Sequence, residues 1–543
     1  MSISSIRIGI VQENPVVGDI QGNTDLVIKS IKGFGKKRPP DIVVFSEMFL
    51  TGYPPEDLLY REDLLKAVNQ NLEEISKAYK DIHIVIGYPR LKKGKLFNAA
   101  GVIYQGSIQH EYFKQELPNY NVFDEKRYFS PGKGPCLFKV KGKHIALTIC
   151  EDIWHTKAIR QAARRGADLV INLNASPFHR NKIKERIELV SKHAKKFSVP
   201  IIYVNQVGGQ DELVFDGASM IFSTEGECSK LFPSFKTHSE IVELNNTDLS
   251  LISNNKIKKE KVVRTELEDL YDALVLGTKD YIQKNKFSGA IIGSSGGIDS
   301  ALTAVIAADA IGPDKVKTFM MPFKYTSEMS IVDANKLATN LGISHKVIDI
   351  SKIFDSFETS LKDTFLGKDK DKTEENLQSR ARGVLLMAIS NKLGLLVLTT
   401  GNKSETAVGY STLYGDTAGG FGVLKDVPKT WVYQLADYRN SLSEVIPKRI
   451  IDRPPSAELS ADQKDSDSLP SYEILDEIIE LYVEKDAALE EIVSKGLKKK
   501  TVEEVINLID KNEYKRRQAP PGVRITARGF GKDRRYPITN RYS

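Results

Sequence analysis

The stretch Ile291-Ile292-Gly293-Ser294-Ser295-Gly296-Gly297-Ile298-Asp299-Ser300 decides how the second half of the chain folds. A β-like run over residues 289–292 enters it, and a helix-like segment over 301–310 leaves it. A strand, a loop of small residues and a helix N-terminus make an anion site, because unpaired backbone N–H groups point outward where the helix dipole is positive. Gly296 and Gly297 let the backbone approach a phosphate with no Cβ in the way. Ser294, Ser295 and Ser300 add hydroxyl donors, and Gly293 and Ile298 complete the turn. No lysine follows the glycines, which excludes the common P-loop. Asp299 would repel a phosphate unless a cation lay between them, so Mg²⁺ is expected.

The rest of the composition bounds the answer. A chain of 543 residues favours two or more domains. With 41% hydrophobic and 27% charged residues it has enough apolar material for a core in each. It contains no 18-residue apolar run and no long apolar stretch over residues 1–10, and Cys136, Cys150 and Cys228 lack metal-ligand spacing. A cytoplasmic protein in a reducing compartment, with no membrane partner, is expected. The net charge of +7 is concentrated partly in residues 511–541. Such a tail suits a nucleic acid, an anionic small substrate or plain solvation.

Apolar runs over 6–11, 42–45, 82–87, 99–104, 145–149 and 169–173 read as strands, and 25–33 and 64–79 as helices, so residues 1–245 form an α/β layered domain. Polar, lysine-rich residues 246–262 read as a linker. In 263–543 a helix over 266–283 leads to the loop. Strands over 316–320, 346–350 and 395–399 then alternate with helices over 330–341 and 376–389. That alternation predicts a doubly wound parallel sheet with ligand at the strand C-terminal ends. Residues 363–375 read as a charged surface loop, 410–420 as a cover for a nucleotide, and 451–469 as a mobile lid.

Three reactive residues sit at strand ends or loops in the first half: Glu47 after the apolar run 42–45, Lys114 after Tyr112-Phe113, and Cys150 after the apolar run 145–149. A cysteine between a strand and a helix is presented to a cleft, with its thiolate favoured by the helix N-terminus. A carboxylate beside it can take the thiol proton, and an ammonium can stabilise the oxyanion of an attacked amide. Taken singly, each also fits a core cysteine, a turn carboxylate and a solvated lysine. In the second half Glu405 reads equally as a metal carboxylate beside Asp299 or as a first-turn residue favoured by a helix dipole.

Together the motifs carry two resemblances. Phe45-Ser-Glu-Met-Phe-Leu-Thr-Gly-Tyr-Pro54, Lys114-Gln-Glu-Leu-Pro-Asn-Tyr120 and Thr148-Ile-Cys-Glu-Asp-Ile-Trp154 resemble the nitrilase superfamily over residues 4 to about 245. The resemblance implies an α-β-β-α sandwich with the triad Glu47, Lys114 and Cys150, and glutamine held near Tyr120, Ser176 and Lys182. Asn121 stands where relatives often have Gly.

The loop at 293–300 resembles the pyrophosphate loop of the ATP pyrophosphatases. With Glu375-Asn-Leu-Gln-Ser-Arg380, Gly401-Asn-Lys-Ser-Glu405, Tyr414-Gly-Asp416, Val427-Pro-Lys429, Arg453-Pro-Pro-Ser456 and Tyr514-Lys-Arg-Arg517, the second half resembles the NAD synthetase family. This resemblance implies that ATP meets the loop, Thr400, Lys429 and Ser456. It implies that deamido-NAD meets Asn376, Arg380, Glu405 and Lys515, and that Mg²⁺ bridges Asp299 and Glu405. The joint expectation is a homo-oligomeric ligase that takes ammonia from glutamine through a shielded passage and amidates deamido-NAD through an acyl-adenylate, with no nucleic-acid partner. Its rivals are an amidotransferase with another acceptor, an RNA-binding protein using residues 511–541, and a nucleotide sensor whose first half is inert.

Overall fold

Strands that are apolar on both faces must be covered on both faces, and this sets the layers of the first unit. The structure is a computed structural model that describes residues 5–252, 264–456, 458–460 and 469–540. It divides into one unit of Met1–Gln210 with Val214–Arg264 and another of Asp211–Leu213 with Thr265–Ser543.

The first unit holds two six-stranded sheets. One runs in the order His238–Asn245, Ser5–Gln12, Ile42–Val44, His83–Lys92, Lys95–Tyr104, Ser107–Phe113. The other runs Cys228–Leu231, Met220–Phe222, Ile201–Asn205, Leu169–Asn174, Lys143–Ile149, Cys136–Val140. Side chains alternate along each strand. Ile8, Val44 and Val85 of the first sheet share a core with Leu147, Ile171 and Ile202 of the second. Their neighbours Val43, Ile84 and Ile86 pack against Val27, Leu72 and Ile75 of the helices Ile20–Gly33 and Glu62–Ala78. Ala146, Val170 and Tyr203 meet Ile159 and Val190 of the helices Thr156–Arg164 and Lys182–Phe197. The layers are therefore α-β-β-α, as the alternation requires.

The helix expected from residue 25 starts at Ile20, because Asp19 accepts a hydrogen bond from Gly22 N at 3.0 Å and caps it there. Residues 246–252 of the expected linker instead fold back on the last strand of the first sheet. Asn245 N donates to Ser250 O at 2.8 Å and Ile252 N to Glu243 O at 2.7 Å, with Leu249 buried. The remainder of that linker, 253–262, lies outside the described residues.

The second unit is built on a five-stranded sheet in the order Ser344–Val347, Val316–Met320, Ala290–Ser294, Leu396–Thr399, Phe421–Gly422. Every neighbouring pair is parallel. The helix Ile298–Ile311 is buried along nearly its whole surface. On one sheet face Ile291, Phe319 and Val397 pack with Phe354 and Leu386 of the helices Ser351–Leu361 and Lys372–Leu393. The chain winds from Ala290–Ser294 to one edge and returns to the other. The switch point therefore falls between the C-terminal ends of Ala290–Ser294 and Leu396–Thr399, where open α/β sheets bind ligands.

Two expectations shift here. The strand expected over 346–350 pairs over Ser344–Val347, and the buried Ile350 instead directly precedes the unforeseen helix Ser351–Leu361, where Asp349 Oδ1 accepts from Ser351 N at 2.8 Å. The loop expected over 363–375 becomes helical from Lys372. Asp371 accepts from Thr373 N at 2.7 Å, while Glu374 accepts from Asp371 N at 2.9 Å, a capping box. No helix among the described residues is long and apolar enough to cross a membrane.

Candidate active sites

Three strand ends of the first unit converge on one buried cluster. Lys114 follows the strand Ser107–Phe113, and its Nζ donates to Glu47 Oε1 at 2.8 Å and to Glu125 Oε1 at 2.8 Å. Glu47 Oε1 also accepts from Asn98 Nδ2 at 2.7 Å, and its Oε2 from Ala175 N at 2.9 Å. Tyr53 OH donates to Glu125 Oε1 at 2.9 Å. Glu47 is fully buried, so its position is set by these bonds. Cys150 follows Lys143–Ile149 and opens the short 3₁₀ turn Cys150–Trp154 with φ of 39°. That left-handed conformation is costly for a side-chain-bearing residue and is typical of functional turns.

The charges follow from burial and neighbours. Burial works against the Lys114 ammonium, but the carboxylates of Glu125 and Glu47 outweigh it and hold its pKa well above the usual lysine value. Burial pushes Glu125 up to about 7 against the pull of Lys114. Burial and the Glu47 charge push the Cys150 thiol well above its ordinary value, with Lys114 opposing. The expected thiolate preference is overturned: a five-residue turn has little dipole to offer, and desolvation dominates. The thiol is held protonated, among a carboxylate able to receive its proton and an ammonium able to face an oxyanion.

Around this cluster Tyr120 OH donates to both carboxylate oxygens of Glu151 at 3.0 Å. Lys182 Nζ lies 3.8 Å from the Trp154 ring centre and 3.1 Å from Glu185 Oε2, and burial lowers its pKa. Ser176 N donates to Asn205 Oδ1 at 2.9 Å, and its carbonyl accepts from the buried Arg186 at 3.0 Å. Tyr120 and Lys182 are thus tied to the Cys150–Trp154 turn, and Ser176 to the strand end beside it. Asn121 has φ of 50°, a left-handed conformation that Asn tolerates best after Gly. Glu125 and Asn98 escaped the sequence reading. Glu125 follows no apolar run, and only its place eleven residues after Lys114, past the Leu-Pro-Asn-Tyr motif, marks it.

At the switch point of the second unit lies a cavity of about 790 Å³. Gly293, Ser294, Ser295, Gly297, Ile298, Asp299 and Ser300 line it, with Thr400, Glu405, Lys429 and Ser456. Gly296 turns away from it: its φ is 74°, and a Cβ there would sit 2.3 Å from Ser330 O. Ser295 N donates to Ser300 Oγ at 3.2 Å, which donates on to Gly297 O at 3.0 Å, so the loop holds its own shape. Arg453 Nη2 donates to Gly296 O at 2.6 Å from the start of the expected lid; residues 457 and 461–468 of that lid lie outside the described residues.

Lys429 Nζ donates to Asp299 Oδ2 and, at 3.3 Å, to Glu405 Oε1. Burial opposes its charge, but Asp299 and Glu405 outweigh that and raise its pKa. Asn402 Nδ2 donates to Asp299 Oδ1 at 2.8 Å, and Asn402 Oδ1 caps Glu405 N at 3.0 Å. Among the described residues no group of three or more His, Cys, Asp or Glu could hold a metal ion. The pair Asp299 and Glu405 still fits Mg²⁺, which takes one or two carboxylates and completes its shell with phosphate oxygens and water.

Asn376, Arg380 and Lys515 lie apart from that cavity's lining and converge on one segment. Asn376 Oδ1 accepts from Thr412 Oγ1 at 2.8 Å, and Arg380 Nε donates to Leu413 O at 3.2 Å. Lys515 Nζ donates to the carbonyls of Gly409 and Ser411 at 2.8 Å each. Lys515 also lines a small adjoining pocket with Glu405 and Asp416. Two titratable residues of the large cavity were given no role in the sequence reading, although Asp416 stands in the quoted motif Tyr414-Gly-Asp416. Burial pushes Asp416 up to about 6, and burial lowers Arg382 to about 10. Arg382 lies within the helix Lys372–Leu393, whose periodicity gave no chemical signal.

Amide chemistry in one unit and nucleotide chemistry in the other mark an enzyme of the carbon–nitrogen ligase class that carries its own hydrolase. Family models agree with both halves: carbon-nitrogen hydrolase over residues 7–248 and NAD synthase over residues 270–519. The glutamine-dependent NAD(+) synthetase of Acinetobacter baylyi is 47% identical over 99% of each chain, and that of Thermotoga maritima 44% identical over 99% of each. A solved structure of the Acinetobacter baumannii glutamine-dependent NAD⁺ synthetase in complex with ADP is 44% identical, covers 98% of both chains and superposes with a TM-score of 0.79. The chain belongs to the glutamine-dependent NAD(+) synthetase family.

Proposed function

We infer that this chain converts deamido-NAD to NAD, with ATP as the activating substrate and glutamine as the nitrogen source. The observation that carries the reading is the buried lysine held 2.8 Å from each of two glutamates, all within electrostatic reach of Cys150, in a chain that also builds an anion loop at a sheet switch point.

Cys150 Sγ attacks the amide carbon of glutamine while Glu47 takes the thiol proton. Lys114 faces the oxyanion. Glu47 passes the proton to the departing nitrogen, so ammonia leaves and a thioester remains. Glu47 then takes a proton from water, whose oxygen attacks the thioester; glutamate leaves and the thiol is restored. Tyr120, Ser176 and Lys182 hold the glutamine.

In the second unit the nicotinate carboxylate of deamido-NAD attacks the α-phosphorus of ATP, and pyrophosphate departs toward the N–H groups of 293–300. Ammonia attacks the acyl carbon of the adenylate, AMP leaves with the bonding electron pair, and the surplus proton goes to solvent. Thr400, Lys429 and Ser456 hold ATP; Asn376, Arg380, Glu405 and Lys515 hold deamido-NAD. Mg²⁺ bound by Asp299 and Glu405 would neutralise charge on the phosphates.

The reading includes a cytoplasmic homo-oligomer acting on small molecules. Ion pairs within the basic tail favour small substrates over RNA: Arg516 and Arg517 pair with Glu513, Arg524 with Asp533 and Arg534 with Asp510, so these cations are already engaged. Sedimentation of the purified chain tests the oligomer. The activity is tested by supplying ATP, deamido-NAD and glutamine and assaying AMP, glutamate and NAD. Cys150→Ala should abolish synthesis from glutamine and keep synthesis from ammonium. If the wild-type chain yields neither AMP nor NAD, the assignment falls.

A further inference from the structure

One fully buried carboxylate in the first unit takes no part in the chemistry above. Asp152 stands two residues after Cys150 in the same turn. Its Oδ1 accepts from Gln115 N at 3.0 Å and Glu116 N at 2.9 Å. Its Oδ2 accepts from Ile149 N at 3.0 Å and Tyr112 OH at 2.8 Å.

These donors are placed tellingly along the chain. Gln115 and Glu116 directly follow Lys114, Tyr112 comes two residues before it, and Ile149 directly precedes Cys150. A single side chain therefore binds both flanks of the lysine and the residue that leads into the nucleophile. Gln115 Nε2 extends the tie, donating to Gln161 Oε1 at 2.9 Å in the helix Thr156–Arg164.

We propose that Asp152 is the positioning residue that fixes Cys150 relative to Lys114. This deepens the glutaminase reading and rests on it. The site favours an ionised carboxylate: three of the four donors are backbone N–H groups that cannot turn round, and they address both oxygens. Burial pushes the Asp152 carboxyl up to about 6, which leaves it ionised at neutral pH. An amide in its place would point N–H at N–H on one side, and the strand end carrying Lys114 would move away from the Cys150 turn. A misplacement of ~1 Å between reacting groups can cost about 100-fold in rate.

The test is glutamate release by the full chain with ATP, deamido-NAD and glutamine present. Asp152→Asn should lower kcat by about 100-fold with the KM for glutamine kept within about threefold, because Tyr120, Ser176 and Lys182 still bind the substrate. Tyr112→Phe, which removes one donor and keeps three, should lower kcat by less, about 10-fold. Circular dichroism and thermal melting verify that each variant is folded. A kcat for Asp152→Asn within threefold of wild type, or a loss confined to KM, overturns the proposal. Should Asp152→Asn fail to fold, Tyr112→Phe decides: a lowered kcat at unchanged KM supports the proposal, and an unchanged kcat overturns it. Cys150→Ala keeps the underlying reading separate, since glutamate release by that variant would remove the glutaminase assignment itself.

Discussion

At the scale of the residue, the unusual feature is one ammonium between two buried carboxylates. Glu47 and Glu125 both reach Lys114 Nζ at 2.8 Å, yet the chemistry asks only one of them to move a proton. In the proposed mechanism, Glu125 holds the charge on Lys114 while Glu47 serves as base. Glu125→Gln keeps the shape and removes the charge, so glutamate release should lose about 10- to 100-fold in kcat. The same variant has a stability signature. Burial raises Glu125 from 4.5 to about 7, so between those values the folded chain binds a proton that the unfolded chain has lost. Its stabilising contribution is present below about pH 4.5 and lost as pH rises through about 7. The melting temperature of Glu125→Gln minus that of wild type should therefore climb across that window; a flat difference would refute the assignment. Glu47, Lys114 and Cys150 could be read from the sequence because three motifs that resemble the nitrilase superfamily carry them, and Glu47 and Cys150 also follow apolar runs that form strands. The roles of Glu125, Asn98 and Asp152 could not be read from it, because they come from convergence in space; Asp152 stands in the quoted motif of Thr148–Trp154, but the motif does not say what it binds.

At the scale of the element, hydrophobic period placed six of the twelve sheet strands of the first unit and the four longer strands of the second, but not Ser107–Phe113, Cys136–Val140, Ile201–Asn205 or His238–Asn245, nor the helices Thr156–Arg164 and Lys182–Phe197; capping chemistry placed the ends wherever it was noticed. The misjudged boundaries at Asp19 and Asp371 are both side-chain caps, visible in hindsight as an Asp three residues before a Gly and an Asp before Glu374. The strand misplaced to 346–350 carries no period-2 pattern strong enough to set register, which the pairing with Val316–Met320 supplies instead. The anion loop is the element that tolerates least change. Gly296 combines φ of 74° with a missing Cβ that would lie 2.3 Å from Ser330 O. Gly342, at the C-terminal end of the helix Glu328–Leu341, has a similar φ of 68° with nothing within 4 Å. The pair separates backbone strain from loop displacement. Both Gly296→Ala and Gly342→Ala should lose about 1–2 kcal/mol from the left-handed backbone alone. Only Gly296→Ala should also lower ammonium-driven NAD synthesis, by at least about 10-fold, because its Cβ pushes the loop off the phosphate position. Equal synthesis rates in the two variants would contradict the loop's role.

At the scale of the whole molecule, each unit has its own buried core and its own reactive centre, and the centres differ in what they need. In the proposed function the first works with side chains alone, and the second joins two carboxylates to a nucleotide. Family motifs made this division legible from sequence, but not how Asp299 and Glu405 behave before substrate arrives, which depends on Lys429 from a distant segment. Lys429 is nearly fully buried and bonds to both, so one ammonium offsets part of the charge of the two carboxylates. Structural metal sites fold with their metal and lose stability to chelators. Here the opposite should hold. Excess chelator should stop AMP formation with ammonium as nitrogen donor, and added Mg²⁺ should restore it, while the melting temperature of the substrate-free protein stays within about 1 °C. Lys429→Met leaves the two carboxylates without their partner, which destabilises a buried cluster. That variant should melt lower than wild type and regain part of the loss with Mg²⁺, which wild type should ignore. A chelator that lowers the wild-type melting temperature by several degrees, or a Lys429→Met variant blind to Mg²⁺, would show that the two carboxylates are not held in reserve for the ion.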